Sequence, residues 1–507
     1  MKHRHATEPH APPKEEPNFA PQFCLMMAVY LLLVFGWTVR IGPLGRDFAL
    51  LAHPLRAPGL GAPVLWAETA LFGGWAPAYH VANLVLMYAC MLSLFFFTRL
   101  AVRGPWWLGS LVAVMTMANP VKAEAMLHLS GAVDLVPALA AFAMLCAYAW
   151  HVRSGGRFRY AAALALFALA AWGHPGNAAL VLVLALYEWL LAPRERKNWK
   201  RLLPFAVVAL VLAWPHLRFV LAEGLALRMA PLVFIPYPIG LLPETCALYA
   251  SWPVLAWATA ACVAAFACFV AWKARHPAIA FGLPGMVLVR FFAVDTPVDP
   301  VHLVGGGALL VPLALFNLAF AALCTRVQRH PKWKWPVVLL TTILCAALFV
   351  AQGAVNLAWG ESALVVRRFQ EQAQAAVEAR PGESLGVLPD YRYWRGAPLC
   401  LSDSINADGP FSRALPHMPL LPVNAHPEET TVEVLAREAQ TGGVSVTGGA
   451  PLALLSPPYR MPEVGEERRY GAARVTFTAV REDGFDVRIT TAYGELPDTL
   501  LPVSAPE

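Results

Sequence analysis

Ionisable side chains beside the apolar runs of this chain are few, and they are the places where chemistry could be done. Arg46, Asp47 and His53 fall together in GRDFALLAHP, just beyond the first long apolar run. A carboxylate there can take a proton or pair with the neighbouring guanidinium, and position alone favours an interfacial charge paired with Arg46. Lys122, Glu124, His128 and Asp134 lie in ANPVKAEAMLHLSGAVDL. If Val121 to Leu129 is a helix, Glu124 and His128 share one face at the i, i+4 spacing, which suits a metal or a phosphate-bearing ligand. Two residues do not make a metal site, so a capped polar helix end is the plainer reading. His174 and His302 sit at ends of apolar runs, where an imidazole bonded to a backbone carbonyl accounts for them. Asp295 and Asp299 flank Pro297 in DTPVDP, which reads as a turn. Asp390 to Gly396, DYRYWRG, sets aromatics among arginines; the pattern could stack on a sugar, but packing is the simpler expectation.

The elements that must position these groups belong to a membrane. The chain has 507 residues, of which 58% are hydrophobic and 14% charged, against about 25% charged in ordinary soluble domains. Apolar stretches at 22 to 39, 79 to 98, 106 to 118, 134 to 152, 160 to 173, 178 to 192, 202 to 221, 251 to 272, 278 to 293, 303 to 324 and 336 to 353 predict about eleven spans. The shorter ones, 106 to 118 and 160 to 173, are expected to be tilted, broken or re-entrant. The first run follows about 20 polar, Pro-rich residues and has no small-residue cleavage pattern, so it reads as a retained helix. Lys and Arg gather in short loops, for example Arg194 to Arg201 and Arg326 to Lys334, and the positive-inside rule makes these loops cytoplasmic. The net charge of +6 therefore reports topology, and nucleic acid is not an expected partner. Seven of the nine cysteines lie in apolar runs as small hydrophobes, and no disulfide framework is implied.

Three parts follow: a cytoplasmic polar segment 1–21, an all-α polytopic domain 22–355, and an extracytoplasmic soluble domain 356–507 of small α+β or β-rich type. In the last part, 361 to 380 reads as an amphipathic helix. Segments 443 to 446, 473 to 480 and 484 to 491 alternate apolar with polar residues, the pattern of half-buried strands. An odd number of crossings from a cytoplasmic N-terminus puts this part outside, with a bacterial inner (plasma) membrane as the expected location.

The block Asn119, Pro120, Glu124, Gly131, Asp134, Leu135 resembles a signature of multi-pass GT-C glycosyltransferases, especially the O-mannosyltransferase-like family with tetratricopeptide tails. Tyr79, His80 and Asn83 are similar to that family's Y-H-x-x-N at the start of the second span, and Asn356 with Trp359 to its N-x-x-W after the last. The resemblance covers residues 22 to 365. It implies a cavity under two outer loops where a polyprenyl-phosphate sugar donor meets an acceptor, with Asp47 as general base in an inverting attack. Phosphate is a competent leaving group, so its developing charge needs only stabilisation; Arg46, Lys122 and His128 are the candidates, with His80, Glu124 and Asp134 also implied in donor binding. The resemblance leaves room for a divalent metal ion.

The departures are specific. Asn119 replaces the family's His, Ala132 its Arg, and His174 to Asn177 a Lys-Glu pair; tetratricopeptide repeats are absent; in the first loop Asp47 stands alone where the family often shows two carboxylates. A second expectation follows: a catalytically inactive scaffold of the same fold whose outer domain binds a partner in an envelope assembly. A transporter fits less well, because no inverted repeat or matched pair of broken helices is visible.

Overall fold

In a computed structural model the described residues are 20–102, 105–222, 276–292, 306–328 and 330–379, the single helical positions 258, 261, 265 and 269, and the later segments 386–388, 393–394, 397–398, 452–454, 464–470, 473–481, 484–491, 494–495 and 499–502. The helices are α1 (Ala20–Phe35), α2 (Asp47–Ala52), α3 (Gly61–Phe72), α4 (Ala76–Val102), α5 (Trp106–Ala118), α6 (Ala123–Leu127), α7 (Ala132–Ser154), α8 (Arg157–Gly173), α9 (Leu180–Leu190), α10 (Leu203–Ala222), α11 (Pro277–Phe292), α12 (Leu310–Gln328) and α13 (Lys334–Ala379).

Five helical stretches are long and apolar enough to cross a membrane: Pro21–Arg40, Ala76–Val102, Leu129–Ser154, Gly306–Gln328 and Pro331–Leu364. The protein is therefore an integral membrane protein in contact with lipid. Shorter apolar helices stand at Trp106–Ala118, Pro175–Leu190 and Pro277–Phe292. The expected span 251 to 272, apart from the four single positions above, lies outside the described residues, as do His302, Asp295, Asp299, the segment 443 to 446 and, save Tyr393 and Trp394, the segment Asp390 to Gly396.

The third and fourth of these stretches, formed by α7 and α12, are 72% and 78% buried, whereas those of α1 and α13 are 33% and 17% buried, so α7 and α12 form the centre and the other two face outward. Small residues permit the close contacts: a Cβ on Gly282 would lie 2.9 Å from Ala319 Cβ on the neighbouring α12. The α7–α8 hairpin turns on Gly155 and Gly156, at φ +71° and +103°, values that favour glycine. Exposed tryptophans mark both ends of the bundle: Trp37, Trp66, Trp75 and Trp172 at the end carrying Asp47, and Trp150, Trp189, Trp199, Trp333 and Trp335 at the other. This is the aromatic belt expected at two membrane–water interfaces. At that second end Glu188 is fully buried but satisfied, accepting from Tyr148 Oη at 2.8 Å and from the Asn198 backbone N–H at 3.2 Å.

No proline stands between Pro336 and Pro381, and α13 runs unbroken for 46 residues, so the last apolar stretch and the amphipathic segment after it are one helix. Beyond it, β1 (Gly386–Leu388) pairs in parallel with β4 (Leu452–Leu454), and β2 (Tyr393–Trp394) pairs antiparallel with β3 (Ala397–Pro398). β5 (Glu467–Tyr470), β6 (Ala473–Arg481) and β7 (Gly484–Thr491) form an antiparallel sheet; β8 (Gly494–Glu495) and β9 (Thr499–Pro502) both pair with β7. The alternation at 473 to 480 and 484 to 491 is thus a hairpin.

Candidate functional site

One end of the bundle gathers the turns between α1 and α4, between α5 and α7, between α8 and α9, and before α12. Five of the ionisable residues singled out in the sequence meet there. Arg46, ahead of α2, places Nη2 2.5 Å from Asp134 Oδ2 on α7 and Nη1 3.3 Å from Glu124 Oε1 on α6. His128 lies between two carboxylates, with Nδ1 3.1 Å from Asp47 Oδ2 and Nε2 3.9 Å from Glu124 Oε1. The Nδ1 contact lies off the line of a good hydrogen bond, so we read it as electrostatic.

Asp47 is 0% exposed and its acceptor positions are taken. Oδ1 accepts from Ser130 N–H at 2.9 Å and from Ser130 Oγ at 2.7 Å; Oδ2 accepts from the N–H groups of Leu44 and Leu129, both at 3.1 Å. Burial alone would raise its pKa, but the charge of His128 and the Ser130 hydrogen bonds outweigh that and hold it well below the usual carboxylate range. Capture of the Leu129 and Ser130 N–H groups also explains a departure from the expected helix over 121–129. That stretch is instead a 3₁₀ turn, Pro120–Lys122, a short α6, and an extended His128 at φ −72°, ψ 143°. Glu124 and His128 still meet across the helix end. Asn83 Nδ2 fixes the loop by donating to His128 O at 2.8 Å, and the Trp359 ring packs edge-on against the imidazole with centroids 4.8 Å apart.

Gly131 is required by space: a Cβ there would collide with the Ala125 carbonyl oxygen and lie 2.8 Å from Asn83 Nδ2. A Cβ on Gly307 would lie 2.5 Å from the Asp134 carboxyl carbon. Asp134, His174, Asn177 and Gly307 line a small cleft, and Arg46, 27% exposed in its side chain, is the most open member of the network. Burial opposes the charge of Arg46, but Asp134, Glu124 and Asp47 outweigh it and keep the guanidinium protonated.

Two of the singled-out residues stand apart. His80 is buried, its ring Nε2 3.0 Å from Ile41 O, which ties α4 to the turn after α1. Lys122 is fully buried against α13: Nζ donates to Gln352 Oε1 at 2.9 Å and to Asn119 O at 3.3 Å, and sits 4.9 Å from the Phe35 ring centroid. Gln352 in turn donates to Asn356, which donates to Val34 O. Burial pulls the Lys122 amine down to about 7.

Among the described residues no three His, Cys, Asp or Glu side chains are disposed to hold a metal ion. The carboxylate oxygens are turned to Arg46, to His128 and to backbone N–H groups instead, so the arrangement does not fit one. Sequence motifs missed Ser130, whose hydroxyl looks ordinary beside Gly131, and Gln352, which is remote in sequence from Lys122. They also missed Glu68. Asp47 is not the sole carboxylate of the first loop; Glu68, the one acid in GAPVLWAETALF, lies in it too. No protein-family model and no curated protein matches the chain.

Proposed function

We propose that this protein is a membrane-embedded transferase of GT-C type that moves a sugar from a polyprenyl-phosphate carrier to an acceptor at the outer face, with inversion. The observation that carries the reading is convergence. Arg46 with Asp47, Glu124 with His128, and Asp134 are selected by type and spacing, and they meet in one buried network under the turns joining apolar helices. A membrane protein keeps such groups at that depth mainly for a site or pathway. In this reading Arg46 steadies the charge developing on the leaving phosphate, and Asp134 and Glu124 hold the guanidinium. Asp47 organises the loop that carries His128.

The test is release of polyprenyl phosphate from a labelled carrier by protein in lipid nanodiscs, with wild type compared against Arg46→Gln and thermal unfolding run alongside. Turnover that the folded variant loses supports the reading; no release from any of several carriers refutes it. The saturated, fully buried Asp47 favours one second reading, an inactive scaffold of the same fold that binds an envelope protein through residues 356–507. Stable capture of such a protein without turnover would favour it.

A further inference from the structure

At the end of the bundle opposite Asp47, the turns joining α7 to α8 and α9 to α10 carry an excess of cations. Residues 150–201 hold eight Lys and Arg against two acids, Glu188 and Glu195. Glu188 is fully buried and is met by Tyr148, by the Asn198 N–H and by Arg201 at 3.8 Å. Glu195 is thus the one exposed acid of this stretch.

The two turns are tied into one platform. Arg196 donates to Val152 O near the end of α7 at 3.4 Å, and Tyr160 Oη on α8 donates to Arg201 O at 2.7 Å. Lys197 donates to Trp189 O, Arg201 to Arg196 O, and Arg159 to Gly155 O, so these cations stiffen the turns while keeping their charge. Arg157, Arg194 and Lys200 are exposed, and their side chains make no hydrogen bond or ion pair with the described residues.

Aromatic rings surround these three cations. Phe158, between Arg157 and Arg159, is 85% exposed, and Trp189 and Trp199 are 61% and 53% exposed. The Arg159 guanidinium lies over the Trp150 ring, 4.1 Å from its centroid. Exposed aromatics of a membrane protein sit at the boundary between hydrocarbon and headgroups, so Arg157, Arg194 and Lys200 stand at the level of lipid phosphates. A guanidinium pairs with a phosphate through two parallel N–H bonds, and an ammonium pairs with it as a point charge.

We propose that this platform binds the headgroups of anionic phospholipids, with Arg157, Arg194 and Lys200 on the phosphates and Phe158, Trp189 and Trp199 seated in the interface. Clustered Lys and Arg beside a membrane are drawn to anionic lipid; a zwitterionic headgroup brings its own cation and compensates the platform less. The platform lies away from Asp47, so its lipid preference is independent of transferase activity.

The test follows the unfolding temperature of the delipidated full-length protein in detergent as phosphatidylglycerol or phosphatidylcholine of the same acyl chains is added, at low and at high salt. Wild type should rise several degrees more with phosphatidylglycerol, and the difference should shrink at high salt. The difference should vanish in the triple variant Arg157→Gln, Arg194→Gln, Lys200→Gln and persist in Lys332→Gln, Lys334→Gln, which removes exposed cations elsewhere at the same end. Should the triple variant not fold, Arg157→Gln alone takes its place and must narrow the difference. Equal shifts with the two lipids in wild type overturn the proposal and leave the cations to an acidic protein partner. A difference unchanged in the Arg157 variants, or lost equally in Lys332→Gln, Lys334→Gln, overturns the assignment to this platform. Inorganic phosphate should give no shift; stabilisation by it equal to that by phosphatidylglycerol overturns a lipid as the occupant.

Discussion

Removing the Asp47 carboxylate should cost far more stability than an interfacial charge would. In Asp47→Ala four donors lose their acceptor: the N–H groups of Leu44, Leu129 and Ser130 and the Ser130 hydroxyl. At about 1 kcal/mol for each buried donor left unmade, the loss is about 4 kcal/mol. Asp47→Asn keeps one oxygen for the Ser130 pair but turns an NH₂ toward Leu44 and Leu129, so about 2 kcal/mol is expected. Denaturant unfolding in mild detergent reads both. The sign with pH follows from the depressed pKa: the contribution is present above the ordinary aspartate value of about 3.9 and fades as pH falls below it. Wild type should thus lose more stability than Asp47→Asn between about pH 4 and 2. Losses within about 0.5 kcal/mol of wild type for both variants would refute the reasoning, since that is the behaviour of a surface position.

Gly131→Ala should lower the unfolding temperature, because the added methyl meets the Ala125 carbonyl and Asn83; an unchanged temperature would mean that the loop packs differently. The Lys122 amine is held near 7 in the fold and returns to about 10.4 on unfolding. Wild type should gain stability as pH rises from about 7 to 10, and Lys122→Met should lose that gain; equal slopes would contradict the buried placement. A double-mutant cycle on Arg46 and Asp134 should give a coupling of about 1 kcal/mol, modest because Arg46 is partly open to solvent. Zero coupling would show that the pair is not formed.

The membrane class and most of the bundle were legible because apolar length is a local property: 106 to 118 is α5, and 134 to 152 lies within α7. The strands β6 and β7 were legible by the same logic, through alternation, and the structure pairs them as a hairpin. The loop at 120–131 was not, because its shape is imposed by Asp47, a partner more than eighty positions away that takes N–H groups a helix would have used. Lys122 was assigned to charge stabilisation by residue type, yet its amine is turned to Gln352, at a sequence separation of 230. Glu68 escaped because no motif contains it; its signal is a single acid in an otherwise uncharged helix.

The measurement closest to the central claim is thermal protection of the purified protein by polyprenyl-phosphate sugars, with Arg46→Gln and Asp134→Asn beside wild type. A ligand that binds only the folded state adds about 2.7 kcal/mol at a hundredfold excess over its dissociation constant. The account predicts protection of wild type by the sugar-bearing carrier, weakened in both variants and smaller with polyprenol alone. No protection by any carrier, or protection equal in all three proteins, would contradict a donor site at Arg46 and Asp134.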